Sequence, residues 1–241
     1  TRRSSDLAIR NREFKVYLQP RFSLTTGKIV GAESLVRWQK EDGTLLPPES
    51  FIPVYEKNGR IIDLDFYMFE ETVKLLAKWK EQGLPQRLIS INASALHAQN
   101  SDTIHRYTAI LEKYGVDPAL TELELTETAT VSDYDHVKQL FAKLRTVGFR
   151  TALDDFGAGY SVLNTVIDIP VNTVKVDRAF INNCEITRKG IYFLREIINL
   201  LKGLGYHIVC EGVETSEQAS ILRNTMCDEV QGYWFSPPVP V

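Results

Sequence analysis

The chain has 241 residues, with 28 Lys and Arg against 31 Asp and Glu, a formal net charge of −3, 44% hydrophobic residues and 24% charged ones. That composition excludes collagen-like, coiled-coil and low-complexity chains. The near-neutral balance argues against broad binding to DNA or RNA backbones, which takes a basic face.

Residues 1–12, beginning with the polar and basic Thr1–Asp6, read as a linker, and residues 13–241 as one domain. The runs Lys15–Phe22 and Ile29–Arg37 are β-like, and Leu24-Thr25-Thr26-Gly27-Lys28 between them is too short for a parallel crossover, which predicts an antiparallel hairpin. Ile62–Lys80 then places Phe66, Phe69, Val73, Leu76 and Ala77 near helical spacing, with Gly83 as its stop. Strands are expected at Arg87–Asn92 and Glu122–Glu127, then a helix over Tyr134–Val147 with Asp133 as N-cap and Gly148 as stop. Arg150–Asp154 and Thr173–Val176 are further strands, and Ile191–Leu204 a helix stopped by Gly205. His207–Cys210, a helix capped by Ser216, and Glu229–Tyr233 complete the pattern. Roughly eight strands alternating with helices predict an α/β fold. No run approaches the ~18 apolar residues of a membrane span, and no signal peptide is visible. Thr1 stands where a Met would begin a complete chain, so a domain cut from a longer protein is expected. Cys184, Cys210 and Cys227 are too scattered for a disulfide framework or a zinc site and read as small apolar residues.

Parallel strands covered by helices are usually apolar on both faces. Several runs depart from this: Ile89 and Ile91 alternate with Ser90, Asn92 and Ser94, the leucines 123 and 125 with Glu122, Glu124 and Thr126, and the valines 174 and 176 with Thr173, Lys175 and Asp177. Alternate residues share a face, so each strand has one side for helices and one charged side, and the recurrence of polar residues at one level favours a closed barrel over an open sheet. Asp154-Asp155 end one run, Glu211 follows another, and Glu33 lies inside Val30–Val36. Buried carboxylates are costly unless paired or bound to a cation. Glu33, Glu124, Asp154, Asp155 and Glu211 meeting at one barrel mouth therefore call for one or two divalent cations. Oxygen donors with Asn92 suit Mg²⁺ or Mn²⁺ rather than zinc. Any one of these acids alone reads as a solvated surface charge; their shared position at strand ends favours a site at the C-terminal mouth.

The segments Gln19-Pro20, Gly31–Trp38, Ile91–Ser94, Glu124–Glu127, Asp154–Ser161, Val174–Asp177, Glu211–Glu214 and Gln231–Tyr233, in that order, resemble the EAL domain, the bacterial cyclic-di-GMP phosphodiesterase family, over nearly the whole length. The resemblance implies a single TIM-type (β/α)8 barrel with an antiparallel, irregular first strand. It implies hydrolysis of cyclic-di-GMP to linear pGpG by metal-activated water, with two Mg²⁺ or Mn²⁺ ions. By position, Glu33, Asn92, Glu124 and Asp154 are implied ligands of one metal, and Asp154, Asp155 and Glu211 of the second. Lys175, with Glu33 and Glu211, is implied in catalysis, orienting or deprotonating the attacking water. Arg37, Gln19, Gln231 and Asp177 are implied substrate contacts, and Glu127 the anchor of a mobile loop linked to dimerisation and regulation. A homodimer, a cytoplasmic location without membrane contact by this domain, and a parent protein with a sensory or diguanylate-cyclase domain, compatible with a membrane anchor, are implied as well.

Several positions depart from the family pattern. Ser34 replaces the Ala of the signature, Leu18 a Tyr, Ala158 a Thr, Val162 a Ser and Cys210 an Ala, and the stretch Ala95-Leu96-His97-Ala98 is off-pattern. No implied ligand is lost. Two other readings stay open: a catalytically silent cyclic-di-GMP receptor, which would normally have lost acids from the set, and a Schiff-base lyase using Lys175, which leaves the carboxylates unexplained. Residue by residue, Lys175 also reads as a salt-bridge partner, Arg37 as a packing arginine, Gln231 as a strand-end hydrogen bond, and Trp38, Trp79 and Trp234 as packing residues.

Overall fold

The short connection after Ser23 does force a hairpin. In the computed structural model, which describes residues 7–158, 166–185 and 187–241, β1 (Phe14–Ser23) and β2 (Ile29–Gln39) pair antiparallel, with Gln19 opposite Glu33 and Arg21 opposite Gly31. Thr1–Asp6, and Gly159-Tyr160-Ser161 and Val162 of the expected loop, lie outside the described residues. Along the chain follow β3 (Leu45–Leu46), α1 (Ile52–Lys57), α2 (Ile61–Glu81), β4 (Leu88–Asn92), α3 (Thr103–Tyr114), β5 (Thr121–Thr126), α4 (Glu127–Ser132) and α5 (Tyr134–Thr146). Then come β6 (Arg150–Phe156), β7 (Thr173–Val176), α6 (Arg178–Glu185), α7 (Arg188–Gly203), β8 (His207–Cys210), α8 (Ser216–Arg223), β9 (Glu229–Val230) and β10 (Val239–Pro240).

Strands β2, β4, β5, β6, β7, β8 and β9 are parallel neighbours in that order, and β1 runs antiparallel to both β2 and β9. The sheet thus closes into an eight-stranded mixed barrel, the expected (β/α)8 barrel with a reversed first strand. Helices cover the outside through apolar stripes. On α2, Phe69, Val73 and Leu76 are fully buried. The apolar halves of the alternating strands, Ile89, Ile91, Leu123, Leu125, Val174 and Val176, join the same core.

Some element ends differ from expectation. Thr215, not Ser216, caps α8: its hydroxyl accepts from Gln218 N–H in a capping box. Asp133 precedes α5 but makes no side-chain cap. Helix α7 starts at Arg188, earlier than Ile191, because Thr187 caps it through Gly190 N–H. The run predicted as Glu229–Tyr233 leaves the sheet at Val230, since Gly232 (φ +156°) lies so close to the Val213 backbone that a Cβ would sit 2.2 Å from its carbonyl oxygen. Helices α1 and α4, of 6 residues each, and α6 and α8, of 8 each, are too short for periodicity to register.

The barrel lumen is ionic rather than filled by branched apolar side chains. Its lower layer centres on Arg21, which is 1% exposed and donates from Nη1 to Glu122 Oε2 at 2.8 Å, with Glu229 Oε2 3.2 Å from its Nε. Thr173 Oγ1 donates to the other Glu122 oxygen at 2.5 Å. Arg21 lies over Gly31, where a Cβ would come within 3.0 Å of its Nη2 and 2.7 Å of Leu88 O. The upper layer is the candidate site.

Candidate functional site

The upper layer is assembled by strand alternation. Glu33 of β2, Glu124 of β5 and Lys175 of β7 point into the lumen, while Asn92 ends β4 and Glu211 follows β8. Asp154 and Asp155 are consecutive, and alternation alone would send them to opposite faces. A one-residue irregularity between β6 and β7, spanning Leu153 to Phe156, resolves this, and Asp155 adopts φ +57°. Both carboxylates are thereby brought to the mouth.

Lys175 is fully buried at the centre. Its Nζ lies 2.7 Å from Glu124 Oε2, 2.7 Å from Glu211 Oε1, 3.3 Å from Glu33 Oε2 and 3.3 Å from Asp154 Oδ1. The salt-bridge reading of Lys175 is thus realised. Burial opposes its charge, but Asp154, Glu124, Glu211 and Glu33 outweigh it and hold the ammonium pKa well above the ordinary value. Glu33 is 6% exposed; it accepts from Asn92 Nδ2 at 2.9 Å and from Gln231 Nε2 at 2.6 Å. Burial would raise its pKa, yet Lys175 and the two amides bring it below the usual carboxylate range. Gln231 Nε2 also donates to Gln19 Oε1 at 3.0 Å, so these two glutamines form a bracket behind Glu33.

The other acids are crowded. Burial, only partly offset by Lys175 and reinforced by Glu33 and Asp154, pushes Glu124 up to about 8. Burial and the neighbouring Asp154 and Asp177 push Asp155 up to about 6. Asp154 and Glu211 are raised too, by burial first and then by like charges that Lys175 does not fully offset. Glu124 Oε1 is buried without a hydrogen-bond partner. Two groups, Glu33–Glu124–Asp154 and Asp154–Asp155–Glu211, offer oxygens within 4.8 Å of one another. One lysine does not neutralise these acids, and the hard oxygen donors and orphaned Glu124 oxygen fit a divalent cation such as Mg²⁺ or Mn²⁺.

This crowding has a pH signature. Glu124, Asp154, Asp155 and Glu211 titrate higher in the folded chain than in the unfolded one, so the folded protein retains protons the unfolded one has released. Stability then falls as pH rises. In EDTA, the denaturant midpoint is expected to drop between about pH 6 and about pH 8, and Mg²⁺ to stabilise more at the higher pH because the carboxylates must be ionised to bind it. A midpoint that climbs across this interval in EDTA would contradict the crowding.

The remaining expected residues are placed as follows. A cavity of about 280 Å³ beside Glu33 and Glu211 is lined by Gln19, Asp177, Gln231 and Tyr233. Asp177 also caps α6, accepting from Ala179 N–H at 2.7 Å. Arg37 is not brought into this cavity: two residues beyond the lining Leu35 on the same strand face, it donates to Val36 O and lies 5.6 Å from the Tyr17 ring centre. Glu127 accepts from Gly157 N–H at 3.2 Å, tying α4 to the start of the loop after Asp154-Asp155. Ser34 turns away from Glu33 to Thr72 on α2, 2.8 Å between hydroxyl oxygens. Cys210 and Cys227 are buried free thiols. Trp38 packs with Phe14 and Phe51, whereas Trp234 is 51% exposed and does not pack as expected.

A larger cavity, of about 490 Å³, lies on the other side of Leu35 and reaches Asn92, Ser94, Thr126 and Asp155, with Asp65 in its wall. Sequence reasoning missed Arg21, Asp65, His97 and the Arg178–Glu214 ion pair at 2.6 Å over the smaller cavity. Asp65 interrupts an otherwise apolar helix face, which is the available signal; Arg21 shares its strand face with Lys15, Tyr17 and Gln19 and gives none, and Arg178 and Glu214 lie on separate segments that only the fold joins.

A family model described as "EAL domain" matches residues 2–238. The signalling protein YkoW of Bacillus subtilis is 36% identical over 233 residues, covering 97% of this chain and 29% of that protein. Cyclic di-GMP phosphodiesterase NbdA of Pseudomonas aeruginosa is 32% identical over 234 residues, covering 97% of this chain and 30% of that protein. The chain therefore spans under a third of the length of these relatives. A solved structure titled "PaMucR Phosphodiesterase, c-di-GMP complex" superposes with a TM-score of 0.91 at 28% identity, covering 99% of this chain and 97% of that one. Among the described residues, no helix is long and apolar enough to cross a membrane.

Proposed function

As this chain belongs to the EAL domain family, we propose that it is a metal-dependent phosphodiesterase that opens one phosphodiester of cyclic-di-GMP to give linear pGpG. The observation that carries this reading is the ring of Glu33, Glu124, Asp154 and Glu211 around Lys175, next to Asp155 and open to two cavities at the barrel mouth. No acid of the implied set is missing, which favours the enzyme over a silent receptor, a class that normally loses acids from the set. A Schiff-base role for Lys175 fits poorly, because an amine held as an ammonium by four carboxylates is no nucleophile.

Glu33, Asn92, Glu124 and Asp154 would hold one cation, and Asp154, Asp155 and Glu211 a second. Divalent cations in such a site supply Lewis acidity and neutralise charge on attacking and leaving oxygens. Lys175 is a fixed positive charge and donor at the reacting centre; the ionic surround argues for orienting water rather than deprotonating it. Gln231, seated between Gln19 and Glu33, holds the Glu33 carboxylate in place. Gln19, Gln231, Asp177 and Tyr233 line the wall against which one half of the substrate lies. Arg37 reaches substrate phosphate only by leaving Val36 O, which a long guanidinium side chain does readily. Glu127 couples the loop after Asp155 to α4, and a homodimer would form through that region. The parent protein would add a sensory or diguanylate-cyclase domain, with this domain in the cytoplasm.

Purified protein with Mg²⁺ or Mn²⁺ is expected to convert cyclic-di-GMP to pGpG in a single-turnover assay read by nucleotide chromatography. EDTA is expected to stop it, and Ca²⁺, whose larger radius and looser geometry suit the site less, to support little turnover. Unchanged turnover in EDTA would remove the metal dependence. Binding of cyclic-di-GMP without cleavage under any of these metals would establish the receptor instead.

A further inference from the structure

The off-pattern stretch after Ser94 contains a buried histidine with a defined partner. His97 is 1% exposed, and its Nε2 lies 3.0 Å from Asp65 Oδ2 on α2. A carboxylate oxygen only accepts, so Nε2 carries the proton it donates. The ring is set by Phe66, edge-on at 4.9 Å between centres, and by the Tyr107 hydroxyl, 3.4 Å from the same nitrogen. Thr103 Oγ1 donates to His97 O at 3.0 Å and fixes the backbone. The same Asp65 oxygen accepts from Ser94 N–H at 2.8 Å. One residue earlier, Ala93 N–H donates to Glu124 O at 2.9 Å. The chain leaving β4 is therefore pinned on one side to β5 and on the other to α2.

We infer that Asp65 and His97 are a positioning pair for Asn92 and for the wall of the larger cavity, acting through Ser94. Asn92 lies two residues before Ser94 and points its amide nitrogen at Glu33 Oε1, which leaves its carbonyl oxygen to the cation. Asp65 holds Ser94 only as firmly as Asp65 is itself held, and His97 is the side chain that holds it. Partners of this kind behind a metal ligand commonly matter by about 10–100-fold in metal affinity or activity. His97 Nδ1 is buried without a partner, so the ring is kept for its Nε2 contact despite an unmet polar atom on its other side. The inference rests on the proposed metal site and extends it to two residues outside the implied ligand set.

The test is Mn²⁺ affinity, measured by electron paramagnetic resonance titration without substrate, alongside kcat and KM for cyclic-di-GMP. His97→Leu is expected to weaken Mn²⁺ binding and lower kcat by about tenfold or more, with a smaller change in KM. His97→Gln, whose side-chain amide reaches Asp65 from the same backbone, is expected to restore most of both. Should His97→Leu fail to fold, Ser94→Pro cuts the same link from the other end: Ser94 has φ −78°, which suits proline, and the change removes the N–H that Asp65 accepts and the hydroxyl cap while setting a ring methylene against Asp65 Oδ2. It is expected to weaken Mn²⁺ binding by a similar factor. A folded His97→Leu or Ser94→Pro with wild-type Mn²⁺ affinity and kcat overturns the inference, as does a His97→Gln variant no better than His97→Leu. A wild-type protein that binds Mn²⁺ but leaves cyclic-di-GMP intact sinks the hydrolase reading alone, and the Mn²⁺ titrations still decide the role of the pair.

Discussion

Asp154→Asn is expected to lower turnover of cyclic-di-GMP by about a thousandfold or more, a larger loss than one ordinary transition-state contact accounts for. Asp154 is the one residue common to both oxygen groups at the mouth. An amide at that position removes a charged ligand from each and weakens both sites at once. Glu33→Ala is expected to be comparably damaging, because Glu33 also organises Asn92 and Gln231. The same Asp154 substitution should leave the metal-free fold intact or firmer. Asp154 is buried among like charges, its pKa is raised by burial and by Glu33, and removing its charge relieves that repulsion. The joint readout is therefore a collapse of kcat with an unchanged or higher melting temperature in EDTA. Near-normal turnover would strike Asp154 from the ligand set, and a large fall in metal-free melting temperature would mean that Asp154 serves the fold rather than the site.

Much of this site is written in the two-residue period of the strands. Glu124 and Lys175 alternate with leucines and valines that face the helices, and both are completely buried in the lumen. The hairpin was equally legible, since a five-residue connection leaves no other geometry. Other features are not local in that sense. Whether Asp154 and Asp155 share a mouth depends on a register shift between β6 and β7, which no composition of β6 alone reveals. Arg21 reads as one more cation on a strand until β1 is placed across the barrel from β5, where Glu122 needs it. The reach of Arg37 was assigned by family position, and the structure shows why the residue itself was ambiguous: its present hydrogen bond is to its own neighbour's carbonyl. Asp65 and His97 are 32 positions apart, and only the packing of α2 against the loop after β4 makes them a pair.

Arg21→Met is expected to be among the most destabilising single substitutions in the protein. Arg21 and Glu122 are 1% and 0% exposed, so no water replaces the lost guanidinium. Truncating one member of such a pair leaves a buried charge and costs about 3–5 kcal/mol. In a chain of this size that corresponds to a fall in melting temperature of roughly 6–20 °C. Thr173 still donates to Glu122, and Arg150 Nε lies 3.6 Å from it, but neither replaces the 2.8 Å contact at Oε2. Glu229 is less exposed to the loss, because His207 Nε2 stands 2.8 Å from its other oxygen. The double variant Arg21→Met with Glu122→Gln removes both charges and should recover a large part of the stability, which a loss of packing alone would not allow. The pH dependence separates the two causes further. Burial raises the Glu122 pKa, but Arg21 and Thr173 outweigh it and bring it below its ordinary value of 4.5. Its stabilising contribution is therefore present above that value and is lost as pH falls through the depressed folded one. The stability gap between wild type and Arg21→Met should narrow as Glu122 becomes protonated in acid, and a gap that stays constant into acid would assign the effect to the arginine's packed methylenes instead of its charge.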